Sequence, residues 1–288
     1  MPHHDSHTAP GLPGTLLPEA LAQYLDSLPS QPQADRSLWR DGLGQVQGRF
    51  HQCSLASVFE PLIRLADRAV IGHEATVRTY AGEHAGLAAW KVFAAAADDA
   101  SLVTLDRLCR LIHAVNYAAS GGAGKLVLNV HNRLLAAVGD DHGAAFRGAV
   151  QALGLPQHQM VIQIPASAND NLPLLLQVVG HYRRNGFAVS LQAKDPAEAG
   201  ALMAHARPDW LKLDMRRRWT DRQLAGLRSS AGDAGVTLIG RRIESADAVQ
   251  RLRGAGIELG QGGYAGVAMS PHALRSRPWH APAGAAMV

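Results

Sequence analysis

Aromatic residues make up only 5% of the 288 residues, and there are only two cysteines, Cys53 and Cys109. Both cysteines lie in apolar stretches, so a disulfide framework is excluded and two buried thiols in a reducing cytosol are expected. No apolar run approaches the roughly 20 residues that span a bilayer, so no membrane segment is expected. The opening MPHHDSHTAPG lacks a basic stretch followed by an apolar one, so no secretory signal is read and a cytoplasmic location is expected. A glycine-rich phosphate turn after an early strand is also missing, which speaks against a doubly wound dinucleotide fold. The nearest run, Gly121-Gly122-Ala123-Gly124, precedes a strand pattern and reads as a helix cap and turn.

Hydrophobic residues make up 47% of the chain and charged residues 18%, enough to bury a substantial core. The formal net charge is +4. Between residues 207 and 253 basic side chains outnumber acidic ones nearly two to one, with Arg216-Arg217-Arg218 among them. No DNA-binding motif accompanies them, so a solvated helix face is expected rather than a nucleic-acid site.

Residues 1–14, with three histidines and three prolines, read as disordered. Residues 15–47 carry Leu16, Leu17, Leu21, Tyr24 and Leu25, then Leu38, Trp39 and Leu43, a spacing that predicts an N-terminal helical extension. Residues 48–275 read as one domain and 276–288 as a tail. Strand patterns fall at 58–65, 69–78, 125–130, 160–164, 187–191, 210–213, 236–239 and 257–259, with helical spacing at 172–182, 197–205 and 220–231. Several strands are continuous apolar runs, as in parallel strands buried on both faces. Eight strands separated mostly by helices predict an α/β fold of the TIM-like (β/α)8 barrel class. The first two are joined by Leu65-Ala66-Asp67-Arg68, too short for a crossover helix, so they are expected to form an antiparallel hairpin.

The site of such a barrel lies at the C-terminal ends of its strands. There the sequence places Glu74-Ala75-Thr76-Val77-Arg78, Asn129, Gln163, Gln192, Lys212 with Asp214, Arg241 with Glu244, and Gln261. These residues resemble the motifs of the EAL domain family of cyclic di-GMP phosphodiesterases. Glu74-Ala75-Thr76-Val77-Arg78 is similar to Glu-Ala-Leu-x-Arg, Leu128-Asn129-Val130-His131 to Val-Asn-x-Ser, and Lys212-Leu213-Asp214 to Lys-x-Asp. Arg241-Arg242-Ile243-Glu244-Ser245 aligns with Glu-Gly-Val-Glu-Thr, Gln261-Gly262 with the final Gln-Gly, and Glu60-Pro61-Leu62 with Gln-Pro-Ile. The resemblance implies an EAL fold with a site at the barrel mouth.

It also implies what this chain lacks. Active members hold two Mg or Mn ions on the EAL Glu, the Asn, a Glu of Glu-x-Thr-Glu, an Asp-Asp pair, and the first Glu of Glu-Gly-Val-Glu. Here Glu74 and Asn129 remain, while Gln163-Ile164-Pro165-Ala166, Gln192-Ala193 and Arg241 replace the rest. Glu74 and Arg241 then cancel in charge, leaving almost nothing to neutralise two dications. At an effective dielectric near 20, a unit charge about 4 Å away is worth ~4 kcal/mol, and a divalent ion suffers about twice that.

The expectation is an inactive EAL domain with no catalytic residue, metal or cofactor. Glu74, Asn129, Lys212, Asp214, Glu244 and Gln261 are the remnant of the site. The expected role is regulation through an unidentified protein partner. The alternative is a metal-independent cyclic di-GMP receptor using Arg78, Arg241 and Lys194. The family also implies a homodimer. His73 and His131 are not expected to build a metal site with Glu74: His73 precedes Glu74 on one strand, and consecutive strand residues face opposite ways.

Overall fold

The computed structural model describes residues 17–276 apart from 35, 82, 83, 88, 95, 97 and 138–140. The expectations for residues 1–14 and 277–288 lie outside the described residues. Two twelve-residue strands, β3 (Cys53–Arg64) and β4 (Val70–Ala81), form the antiparallel hairpin read from the short connection. Parallel strands follow: β6 (Lys125–Asn129), β7 (Met160–Gln163), β8 (Ala188–Ala193), β9 (Trp210–Asp214), β10 (Thr237–Arg241) and β11 (Leu259–Gly260). β11 pairs antiparallel with β3, and β3 pairs with β4, which closes an eight-stranded barrel.

Side-chain alternation sorts the barrel interior into two levels. Leu62, Val127, Val161, Trp210 and Ile239 form one buried cluster at the lower level. Two residues further toward the strand ends, the same faces carry Asn129, Gln163, Lys212 and Arg241, with Glu60 two residues before Leu62 on the antiparallel β3. The apolar floor therefore supports a polar ceiling. The opposite faces pack under helices. Leu128, Ile162, Leu191 and Leu213 are fully buried against that outer layer, each worth about 1.5–3 kcal/mol.

The helices start where short polar side chains can take the free backbone N–H groups. Asp98 caps α3 (Asp99–Ala119), Asp195 caps α7 (Pro196–His205), and Thr220 with Gln223 forms a capping box on α8 (Asp221–Ala234). α3 ends at Ser120, and Gly121 follows with φ 68°, as the glycine run predicted. The basic run 216–218 lies outside any helix, in the loop between β9 and α8, at the mouth end of the barrel. That corrects the expectation of a helix face.

The N-terminal segment is only half as expected. α1 (Glu19–Ser27) buries Leu21 and Leu25. Residues Leu38, Trp39 and Leu43 are not helical: β1 (Leu38–Arg40) and β2 (Val46–Phe50) form a hairpin that extends the sheet beside β3. The turn decides this. Asp41 Oδ1 accepts from the backbone N–H of Leu43 and Gln45 at 2.9 Å each, and Gly44 sits at φ 74°. Asp41-Gly42-Leu43-Gly44 is thus a turn signal that outranks the spacing of the leucines.

Candidate functional site

Four of the residues expected at the strand ends meet in one network. Glu74 Oε2 accepts from Lys212 Nζ at 2.6 Å and from Gln261 Nε2 at 2.8 Å, while Oε1 accepts from Asn129 Nδ2 at 2.9 Å. Lys212 Nζ also donates to Gln261 Oε1 at 3.2 Å. Lys212 is fully buried, so its ammonium relies on these oxygens in place of water. Burial pushes the Glu74 carboxyl up, but the Lys212 charge and three hydrogen bonds outweigh it and hold the group down at about 2.

Glu60, aligned with the Gln of the Gln-Pro-Ile segment, was not among the expected site residues. It lies directly across the hairpin from Glu74. Burial and the Glu74 charge raise its pKa, with Gln261, Lys212 and Arg241 pulling the other way. The mouth therefore holds two carboxylates on neighbouring strands with two cations facing them. The signal was present as Glu60-Pro61 at the hairpin start, and its inward direction follows from the same pleat that points Leu62 to the barrel floor.

The substituted positions are occupied by other bonds. Gln163 is buried and turned into the wall: its amide donates to the backbone oxygens of Ile164 and Ser190, and its oxygen accepts from Ser190 Oγ at 2.9 Å. Gln192 accepts from the Arg241 guanidinium. Ala193 faces away from the mouth into the outer hydrophobic layer. Lys194 pairs with Glu198 at 3.5 Å on the first turn of α7.

Asp214 stands apart from the Glu74 network. Its carboxylate pairs with Arg242 Nη1 at 2.8 Å and with Arg216 Nε at 3.5 Å. Glu244 is exposed, with its carboxylate beside Gly263. Arg78 is exposed further along β4, on the same face as Glu74, and no ion pair reaches it among the described residues. His73 points outward, into a buried cluster with Phe59 and Tyr117. His131 stacks on Phe93, with ring centroids 4.6 Å apart. His73 faces away from Glu74, as the pleat of β4 predicts. Among the described residues, no three His, Cys, Asp or Glu side chains are grouped to hold a metal ion, and no helix is long and apolar enough to cross a membrane.

Comparison with solved structures places this geometry. The EAL enzyme Bd1971 in its cAMP-bound form aligns with a TM-score of 0.64 at 11% identity, over 77% of this chain and 65% of that one. This chain thus spans about 65% of that protein's length. The FimX EAL domain aligns with a TM-score of 0.61 at 21% identity, covering 75% of this chain and 91% of that domain. The YkuI protein of Bacillus subtilis, which has an EAL domain and was solved with cyclic di-GMP and calcium, aligns at 0.60 and 20% identity, over 75% and 55% of the two chains. At these identities the likeness speaks for the fold. No curated protein sequence matches the chain. The family model for the EAL domain matches residues 44–267, which includes the closed barrel and every strand that lines its mouth. The chain belongs to the EAL domain family.

Proposed function

We propose that this EAL domain is a catalytically inactive regulator that acts by binding another protein and does not hydrolyse cyclic di-GMP with metal ions. One observation carries the reading. The retained carboxylate, Glu74, has its oxygens directed at the N–H donors of Lys212, Gln261 and Asn129. A pair of hard divalent cations needs several anionic oxygens free to coordinate. The remaining mouth positions offer Gln163, committed to the wall, Gln192, bonded to Arg241, and the Arg241 guanidinium itself. Glu60 adds one carboxylate, but two cations already face the pair. This donor set does not fit two dications, and no step of a metal-assisted hydrolysis is derived from it.

The purified chain incubated with manganese and cyclic di-GMP is expected to yield no linear dinucleotide. Turnover would overturn the reading.

A second reading is favoured by a specific feature. The guanidinium groups of Arg78, exposed on the same face of β4 as Glu74, and of Arg241, which donates to Gln192, have no carboxylate in ion-pair range among the described residues. Such forks suit phosphate oxygens. Relatives of the same fold were solved with cyclic di-GMP. A metal-independent cyclic di-GMP receptor would bind the dinucleotide in calorimetry without added metal and lose that binding in the R78A/R241A double variant. No heat in either protein removes this alternative and leaves the regulator reading standing.

A further inference from the structure

Five arginines lie at or just beyond two neighbouring strand ends. Arg216, Arg217 and Arg218 follow β9, while β10 ends at Arg241 and Arg242 follows it. The loop that carries the first three is held firmly. The Met215 N–H donates to the Arg241 carbonyl at 3.0 Å, and the buried Trp219 indole donates to the Asp214 carbonyl at 2.9 Å. Arg251 donates in turn to the Trp219 carbonyl. The three side chains it displays are exposed. Asp214 is shared by Arg216 and Arg242, and it is the carboxylate that ties the two strand ends together. No carboxylate pairs with Arg217, Arg218 or Arg241 among the described residues.

Arg242 holds a left-handed backbone at φ 56°, which costs a side chain other than glycine's roughly 1–2 kcal/mol, and its guanidinium lies 2.8 Å from the buried Asp214 carboxylate.

We propose that this arginine cluster is the docking surface for an acidic segment of a partner protein. The inference rests on the regulator reading and supplies the chemistry of its partner. Guanidinium forks match carboxylates in pairs, and a loop pinned by Trp219 presents them with no further ordering of its backbone on binding. The aromatic residue of the loop is buried, so no ring beside the arginines is offered for base stacking, which disfavours single-stranded nucleic acid.

Fluorescence anisotropy of the full chain with a labelled decaglutamate peptide, near physiological ionic strength, tests the surface directly. Labelled decalysine and single-stranded decathymidylate serve as controls. Saturable decaglutamate binding is expected, about tenfold weaker in the R216Q/R217Q/R218Q variant, from three exposed charge contacts of a few tenths of a kcal/mol or more each. The same loss is expected at high salt. The melting temperature of the variant should fall only slightly, because the one ion pair it loses, Arg216 with Asp214, involves an exposed arginine and leaves Arg242 on Asp214. R242G is expected to weaken the peptide as well. Absence of binding, or binding untouched by the triple variant, overturns the docking surface. Decathymidylate binding more tightly than the peptide assigns the arginines to nucleic acid and overturns it as well. Hydrolysis of cyclic di-GMP with manganese is measured in the same samples. Hydrolysis with peptide binding intact removes the inactive reading alone. No hydrolysis and no peptide binding removes the docking surface alone.

Discussion

Lys212 shows how much depends on one charge. Its ammonium is fully buried and sits 2.6 Å from Glu74. Removing it leaves a buried carboxylate with two neutral donors and Glu60 across the hairpin. Lys212→Met is expected to cost about 3–5 kcal/mol at neutral pH, read from urea unfolding. The cost should shrink toward pH 5, because an uncompensated Glu74 takes up a proton more readily. The double variant E74Q/K212M should recover much of the loss, since a neutral mouth has no charge to strand. A single variant as stable as the parent would show that the pair does not hold the mouth together.

Among the elements, the seam between α3 and the first strands is held by few groups. Asn116 donates to the Val46 carbonyl and accepts from the Val46 N–H, both at 2.7 Å, and donates to Ser57 Oγ at 3.1 Å. Ser57 in turn meets His113 Nδ1 at 2.8 Å. These bonds dock the β1–β2 hairpin against α3 and satisfy buried backbone groups. Asn116→Ala strands those groups and is expected to destabilise the chain by about 2–4 kcal/mol. Hydrogen exchange should rise first in residues 46–50, ahead of the closed barrel. Uniform exchange across the sheet would refute the separate role of this seam. The position was legible only as one more helix residue, because its partners come from segments far away in the chain.

For the molecule as a whole, two behaviours follow from the buried titratable groups. Burial lowers His73 to about 4 and His113 to about 3, against about 6.5 in the unfolded chain. The unfolded chain therefore binds more protons below about 6.5, and stability falls as pH drops from there toward 3–4. Glu74, held at about 2, adds a second loss as pH falls below about 4.5. Urea midpoints measured from pH 7 to 4 should decline steadily, and a flat profile between 7 and 5 would contradict the buried neutral histidines. Manganese should leave the melting temperature unchanged, because a ligand raises it only by binding the native state; a marked rise would argue for a metal site. The sequence by itself determined the barrel, its antiparallel opening hairpin and the residues at its mouth, because apolar runs and the strand pleat are local patterns. With whom each mouth residue bonds was decided only by closure. Closure set Glu60 beside Glu74, turned Gln163 into the wall and brought Arg216 and Arg242 onto one carboxylate. Charge interactions act through space, between strands that the chain order keeps far apart.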